Sequence, residues 1–92
     1  MITLHEAYLK AKNEEAKDGL TRLAVCRDYG EFWGFYFAHP TKDMSGYGGY
    51  SEITVNKKTG DIRYFNPIMD FDLFEKATLI PIEQFAEYNV AI

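Results

Sequence analysis

Phe32-Trp33-Gly34-Phe35-Tyr36-Phe37-Ala38-His39 is the most apolar run in this chain of 92 residues. It has the length of a strand and falls far short of the ~18 apolar residues that a membrane-spanning helix requires. Its continuous aromatic character predicts a central strand, buried on both faces or nearly so. Gly34 inside it marks a close approach or a bulge. Tyr29-Gly30-Glu31 supplies a turn before it, and Pro40 ends it. Upstream, residues 20–28 (LTRLAVCRD) predict a first strand. Strict alternation places Leu23 and Val25 on one side and Arg22, Ala24 and Cys26 on the other.

Downstream, residues 41–49 (TKDMSGYGG) read as a loop, and residues 50–56 (YSEITVN) as a third strand. Ser51, Ile53 and Val55 share one face of it; Tyr50, Glu52 and Thr54 share the other. Asn56-Lys57-Lys58-Thr59-Gly60-Asp61 is a tight hairpin, with Gly60 in the left-handed position of a type I turn plus bulge. Ile62 and Tyr64 then alternate with Arg63 and Phe65 on a fourth strand, stopped by Asn66-Pro67. Residues 68–80 (IMDFDLFEKATLI) admit an extended loop or a short helix leading into a last strand. Pro81 suits the first position of a C-terminal helix whose apolar face is Ile82, Phe85 and Ala86.

At the other end, Thr3 followed by Glu6 forms a capping-box pattern. Leu4, Ala7, Tyr8 and Ala11 follow at helical spacing, and Asp18-Gly19 provides a stop. A helix over about residues 3–17 is expected. The order of elements predicts a single α+β domain over residues 1–92. In it an N-terminal helix and a short C-terminal helix pack on one face of a four-stranded antiparallel sheet.

Ten Lys and Arg against 14 Asp and Glu give a formal charge of -4. The sequence pI is about 5.0, and no basic run exceeds Lys57-Lys58. Nucleic acid and anionic membrane are therefore poor partners. Residues 1–67 carry nine acidic and nine basic side chains, so the whole excess falls in residues 68–92. There Asp70, Asp72, Glu75, Glu83 and Glu87 face Lys76 alone. A lone cysteine, Cys26, excludes an internal disulfide and fits a reducing cytoplasm. The stretch Met1 to Glu6 has neither the basic nor the apolar region of a signal peptide.

Chemistry-bearing patterns are sparse. In a hairpin turning at Tyr29-Gly30, Cys26 lies opposite residue 33 or 34. His39 is then roughly 17–20 Å away along the strand, too far for a nucleophilic pair. Gly46-Tyr47-Gly48-Gly49-Tyr50 lacks the third glycine and the following helix of a dinucleotide loop. Tyr47 and Tyr50 instead suit a protein interface, their glycine neighbours letting the loop adapt. Asp70, Asp72 and Glu75 lack the third ligand and the glycine of a calcium loop. Phe71, Leu73 and Phe74 interleave them, as on a solvated acidic face beside apolar anchors or on an acidic contact surface for a basic partner. No catalytic residue, metal site or cofactor is expected.

Three blocks together carry a resemblance. Met1-Ile2-Thr3 with His5, Ala7 and Lys10-Ala11 is one, and Trp33-Gly34-Phe35-Tyr36-Phe37 is the second. The third is Val55-Asn56-Lys57-Lys58-Thr59-Gly60-Asp61-Ile62 with the later Pro81-Ile82-Glu83-Gln84-Phe85. In this order and spacing they resemble the small bacterial proteins called YrhB-like. Those are similar to a family of immunity proteins from polymorphic toxin systems. The resemblance implies a non-enzymatic cytoplasmic protein that neutralises a toxin by direct contact, and it supplies no catalytic motif. On this reading the partner-binding residues are Asp70, Asp72, Glu75, Tyr47 and Tyr50. Three other readings stay open: a phage or mobile-element inhibitor of a host enzyme, an accessory enzyme or small-molecule-binding accessory domain, and a self-associating structural protein that pairs an exposed sheet edge. The sequence leaves the oligomeric state open.

Overall fold

A computed structural model describes residues 1–41, 51–66 and 71–85. Helix α1 spans Leu4–Ala16. Its start is the capping box expected from Thr3 and Glu6. Glu6 N donates to Thr3 Oγ1, and Thr3 N donates back to Glu6 Oε1, each at 3.1 Å. Two of the backbone donors orphaned at a helix start are thereby satisfied. The chain leaves α1 through Gly19 in the left-handed region, φ 76°.

Among the described residues, five strands follow in one antiparallel sheet: β1 Arg22–Asp28, β2 Phe32–Ala38, β3 Glu52–Asn56, β4 Ile62–Phe65 and β5 Thr78–Leu79. Their spatial order is β4-β3-β2-β1-β5. The first four form the expected meander, and the fifth adds two residues beside β1, with Arg27 opposite Leu79. Between β4 and β5 a six-residue helix, α2, spans Phe71–Lys76. The run 68–80 is thus a short helix leading into a last strand over its described part. Of the expected C-terminal helix, the described residues form a 3-10 turn, Ile82–Phe85, and Ala86 lies outside them.

The core lies between α1 and one face of the sheet. Ala7, Tyr8 and Ala11 pack on Leu23, Cys26, Phe35, Phe37, Ile53 and Val55, and Phe85 closes one end. Tyr8 is the hub, stacked on Phe85 at 4.8 Å between ring centroids and 6.0 Å from Phe37. Each large apolar side chain fully buried here contributes about 1.5–3 kcal/mol. A thin core can therefore rest on few residues.

The alternation expected in β1 is corrected. The pairing runs Leu23 opposite Phe37, then Val25 opposite Tyr36, then Cys26 opposite Phe35. A bulge at Ala24 inserts one residue and inverts the pattern, so Leu23 and Cys26 share the buried face while Val25 is half-buried. The extra residue flips every later side chain of the strand. Cys26 lies opposite Phe35 rather than residue 33 or 34, because the turn centres on Gly30-Glu31, with Tyr29 N donating to Phe32 O, and not on Tyr29-Gly30.

The expected hairpin between β3 and β4 forms. Asn56 N donates to Asp61 O and Gly60 N to Asn56 O, both at 2.9 Å. Gly60 has φ 77°. Asn56 Oδ1 accepts from the backbone of Lys58 and Thr59, which pins the turn. The 3-10 turn and α1 lie on the core face, and α2 lies on the opposite face.

Candidate functional site

The second face of the sheet holds a buried carboxylate. Glu52, at the start of β3, is fully buried. Tyr29 Oη donates to its Oε1 at 2.8 Å, and Arg27 Nη1 donates to its Oε2. Space for this group comes from Gly34 on β2. A methyl group built there would overlap Glu52 Oε1 and stand 2.6 Å from Tyr29 Cε2. Gly34 is therefore the close approach that the sequence anticipated. Tyr29 is held by stacking on Phe32 at 5.0 Å and by an edge contact with Phe65 at 5.1 Å. A buried carboxylate without partners would cost several kcal/mol, so the Arg27 and Tyr29 bonds are what make this position tolerable.

Arg27 also faces outward. Its guanidinium lies 4.6 Å from the centroid of the Phe74 ring on α2, an attraction between cation and ring face. Phe71 lies 6.3 Å from Phe74, and Leu79 sits opposite Arg27 on β5. A strip of apolar side chains thus runs over the paired arginine. Phe71 is 58% exposed and Leu79 66%. Asp72 and Glu75 stand exposed on the same helix. Asp72 in the first turn and Lys76 in the last suit the helix dipole and favour a helix over this short stretch.

Of the expected contact residues, Asp72 and Glu75 are therefore brought together on α2. Asp70, Tyr47 and Tyr50 lie outside the described residues. Alternation placed Glu52 with Tyr50 and Thr54 on the face opposite Ile53 and Val55, and neither its burial nor the roles of Arg27 and Tyr29 were foreseen. Gly34 was the available signal, because a glycine within an aromatic strand makes room for something on the neighbouring strand.

Cys26 and the Asp28–Lys57 pair have structural explanations. Burial pushes the Cys26 thiol up to about 12, and the Glu52 and Asp28 charges add to the effect. Such a thiol is a poor nucleophile at neutral pH. Desolvation raises the Asp28 carboxyl, but bonds from Lys57 and the Gly30 N–H outweigh it and bring the net shift below the usual range. Lys57 Nζ lies 2.8 Å from Asp28 Oδ1 and 5.1 Å from the Trp33 ring centroid. This cluster ties the turn of β3 to the turn of β1. Among the described residues, no group of three His, Cys, Asp or Glu is placed to hold a metal ion. No described helix is long and apolar enough to cross a membrane.

A hollow of about 350 Å³ opens on the second face, lined by Phe32, Thr54, Asn56, Arg63 and Phe65 among others. Phe35 and Phe37 of the aromatic strand are instead packed in the core. No family model matches the chain, and neither a curated protein nor a solved structure matches it.

Proposed function

We propose that this chain is a non-enzymatic binding protein, an immunity protein that neutralises a bacterial toxin in the cytoplasm by direct contact. Its docking surface would be the exposed face of α2 and β5. One observation carries the reading. Phe71 and Leu79 are exposed and flanked by the exposed Asp72 and Glu75, over an anchor of Arg27 and Glu52. Exposed apolar side chains rimmed by charged ones are what a protein interface presents, and here two acidic residues outnumber Lys76. The concentration of the net charge in residues 68–92 favours a basic partner surface. An acidic inhibitor can cover the surface with which a basic toxin would hold nucleic acid. The class of partner comes from the resemblance, and the location from this surface.

The test is co-expression, in a bacterial host, with the toxin domain encoded beside this chain's gene. The chain should restore growth. Purified together, the pair should associate about tenfold more slowly at low salt when Asp72→Lys and Glu75→Lys are combined, because steering depends on complementary charge. Failure to protect would overturn the immunity reading. An association rate unchanged by the two reversals would overturn the acidic contact.

A further inference from the structure

The other edge of the sheet has a separate use. We infer that β4 is a self-association edge, at which two copies of this chain join by antiparallel pairing of β4 with β4 about a two-fold axis at Ile62.

β4 ends the strand order, and among the described residues no strand pairs with its outer side. The hairpin register determines which backbone groups remain unpaired there. Asp61 O accepts from Asn56 N, and Arg63 and Phe65 lie opposite Thr54 and Glu52. Residues 61, 63 and 65 thus direct their backbone groups at β3. Ile62 and Tyr64 direct theirs outward, as successive residues in an antiparallel ladder do. An unpaired edge of this kind is a template for another strand.

Side chains select both the occupant and the register. Asp61 and Arg63 are exposed on the second face of the sheet and line the same hollow. With the axis at Ile62, Asp61 of each copy lies opposite Arg63 of the other, so both charges are paired twice over. Moving the axis to Arg63 would set two arginines face to face, and moving it to Tyr64 would leave both charges without an opposite. On the other face, Tyr64 is 59% exposed. In the Ile62 register it lies opposite Gly60 of the second copy. Gly60 itself is buried beneath Lys10 and Ile2, and its N–H is already bonded to Asn56 O. The arrangement is isologous, as a two-fold interface must be. It would continue the five-stranded sheet across the axis with both α1 helices on the same face.

Four strand residues per copy make a small interface, below the standard size. The association is accordingly weak, with Kd of the order of 10–100 μM. Sedimentation velocity on the full chain, across concentrations that bracket this range, should show a reversible monomer–dimer equilibrium. Arg63→Asp and Asp61→Arg should each weaken the dimer about tenfold or more, since each sets like charges opposite at two places. The double variant Asp61→Arg/Arg63→Asp should recover it. Tyr64→Pro removes an outward N–H that no bond to β3 uses, so it should abolish dimerisation while circular dichroism stays native. A chain that remains monomeric throughout overturns the inference, as does a dimer indifferent to either single reversal. Single reversals that the double variant does not rescue overturn the Ile62 register and the inference with it. All these residues lie on the opposite edge from α2 and β5, so this outcome and toxin protection are read separately.

Discussion

Gly34 on β2 is the floor on which the Glu52 carboxylate of β3 rests. A single methyl group at position 34 would occupy the place of Glu52 Oε1 and press on the ring of Tyr29. Because both neighbours are themselves buried and bonded to each other, neither can swing aside into water. Gly34→Ala is therefore expected to destabilise the fold by about 1–3 kcal/mol, the usual cost of overpacking. The measurement is the urea midpoint at unchanged m-value. A change below a few tenths of a kcal/mol would show that Glu52 does not depend on the space at Gly34.

The carboxylate and its arginine form one unit. Glu52→Ala leaves the Arg27 guanidinium without its buried counter-charge, and a loss of about 3–5 kcal/mol is expected. The joint replacement Arg27→Met with Glu52→Leu removes both charges and should cost much less than the two single changes together. A thermodynamic cycle over the four proteins reads the coupling directly. Additive losses would mean that the contact between Arg27 and Glu52 contributes nothing of its own.

Phe74 joins α2 to the sheet through Arg27. Described α2 residues are exposed or half-buried, none fully buried, so no buried side chain anchors the helix. Phe74→Ala is expected to lower global stability by only about 0.5–1 kcal/mol. Its main effect should be local. Amide hydrogens of residues 71–76 should exchange much faster, while those of β2 and β3 stay protected. Unchanged exchange in α2 would show that the Arg27 contact is not its anchor.

Cys26 predicts both a chemical reactivity and a pH dependence. With the thiol buried, disulfide reagents should modify it only as fast as the protein opens. Its folded value of about 12 lies above the ordinary 9.0. Above pH 9 the unfolded chain gives up the proton while the folded chain keeps it. Stability is thus fully present below pH 9 and falls between pH 9 and 12, by up to about 1.4 kcal/mol per pH unit. The raised Tyr8 hydroxyl, also desolvated, acts in the same direction. Cys26→Ala should flatten that alkaline slope. An equally steep slope in the variant would place its source elsewhere.

Much of the architecture was legible because it depends on near neighbours in the chain. Thr3 and Glu6 form a cap across one turn of helix. Gly60 satisfies a left-handed turn, and Ile53 and Val55 alternate onto the core. The bulge at Ala24 was not legible, because Ala24 resembles any other strand residue and only the pairing of Leu23 and Val25 with β2 reveals it. For the candidate site, the acidity and exposure of Asp72 and Glu75 were readable from composition. That α2 sits over Arg27 was not, because their contact spans the whole sheet meander.

The sequence by itself determined the helix cap, the turns, the aromatic centre of the sheet and the acidic bias of its last quarter. Each follows from local backbone preference, side-chain period or simple counting. Only the tertiary structure decided that Glu52, a polar residue on the strand face opposite Ile53 and Val55, is among the most buried of the described residues. Burial of a charge is set by what the adjoining strands bring to it. Here those were a missing side chain at Gly34, a guanidinium from Arg27 and a hydroxyl from Tyr29, at separations no local rule connects.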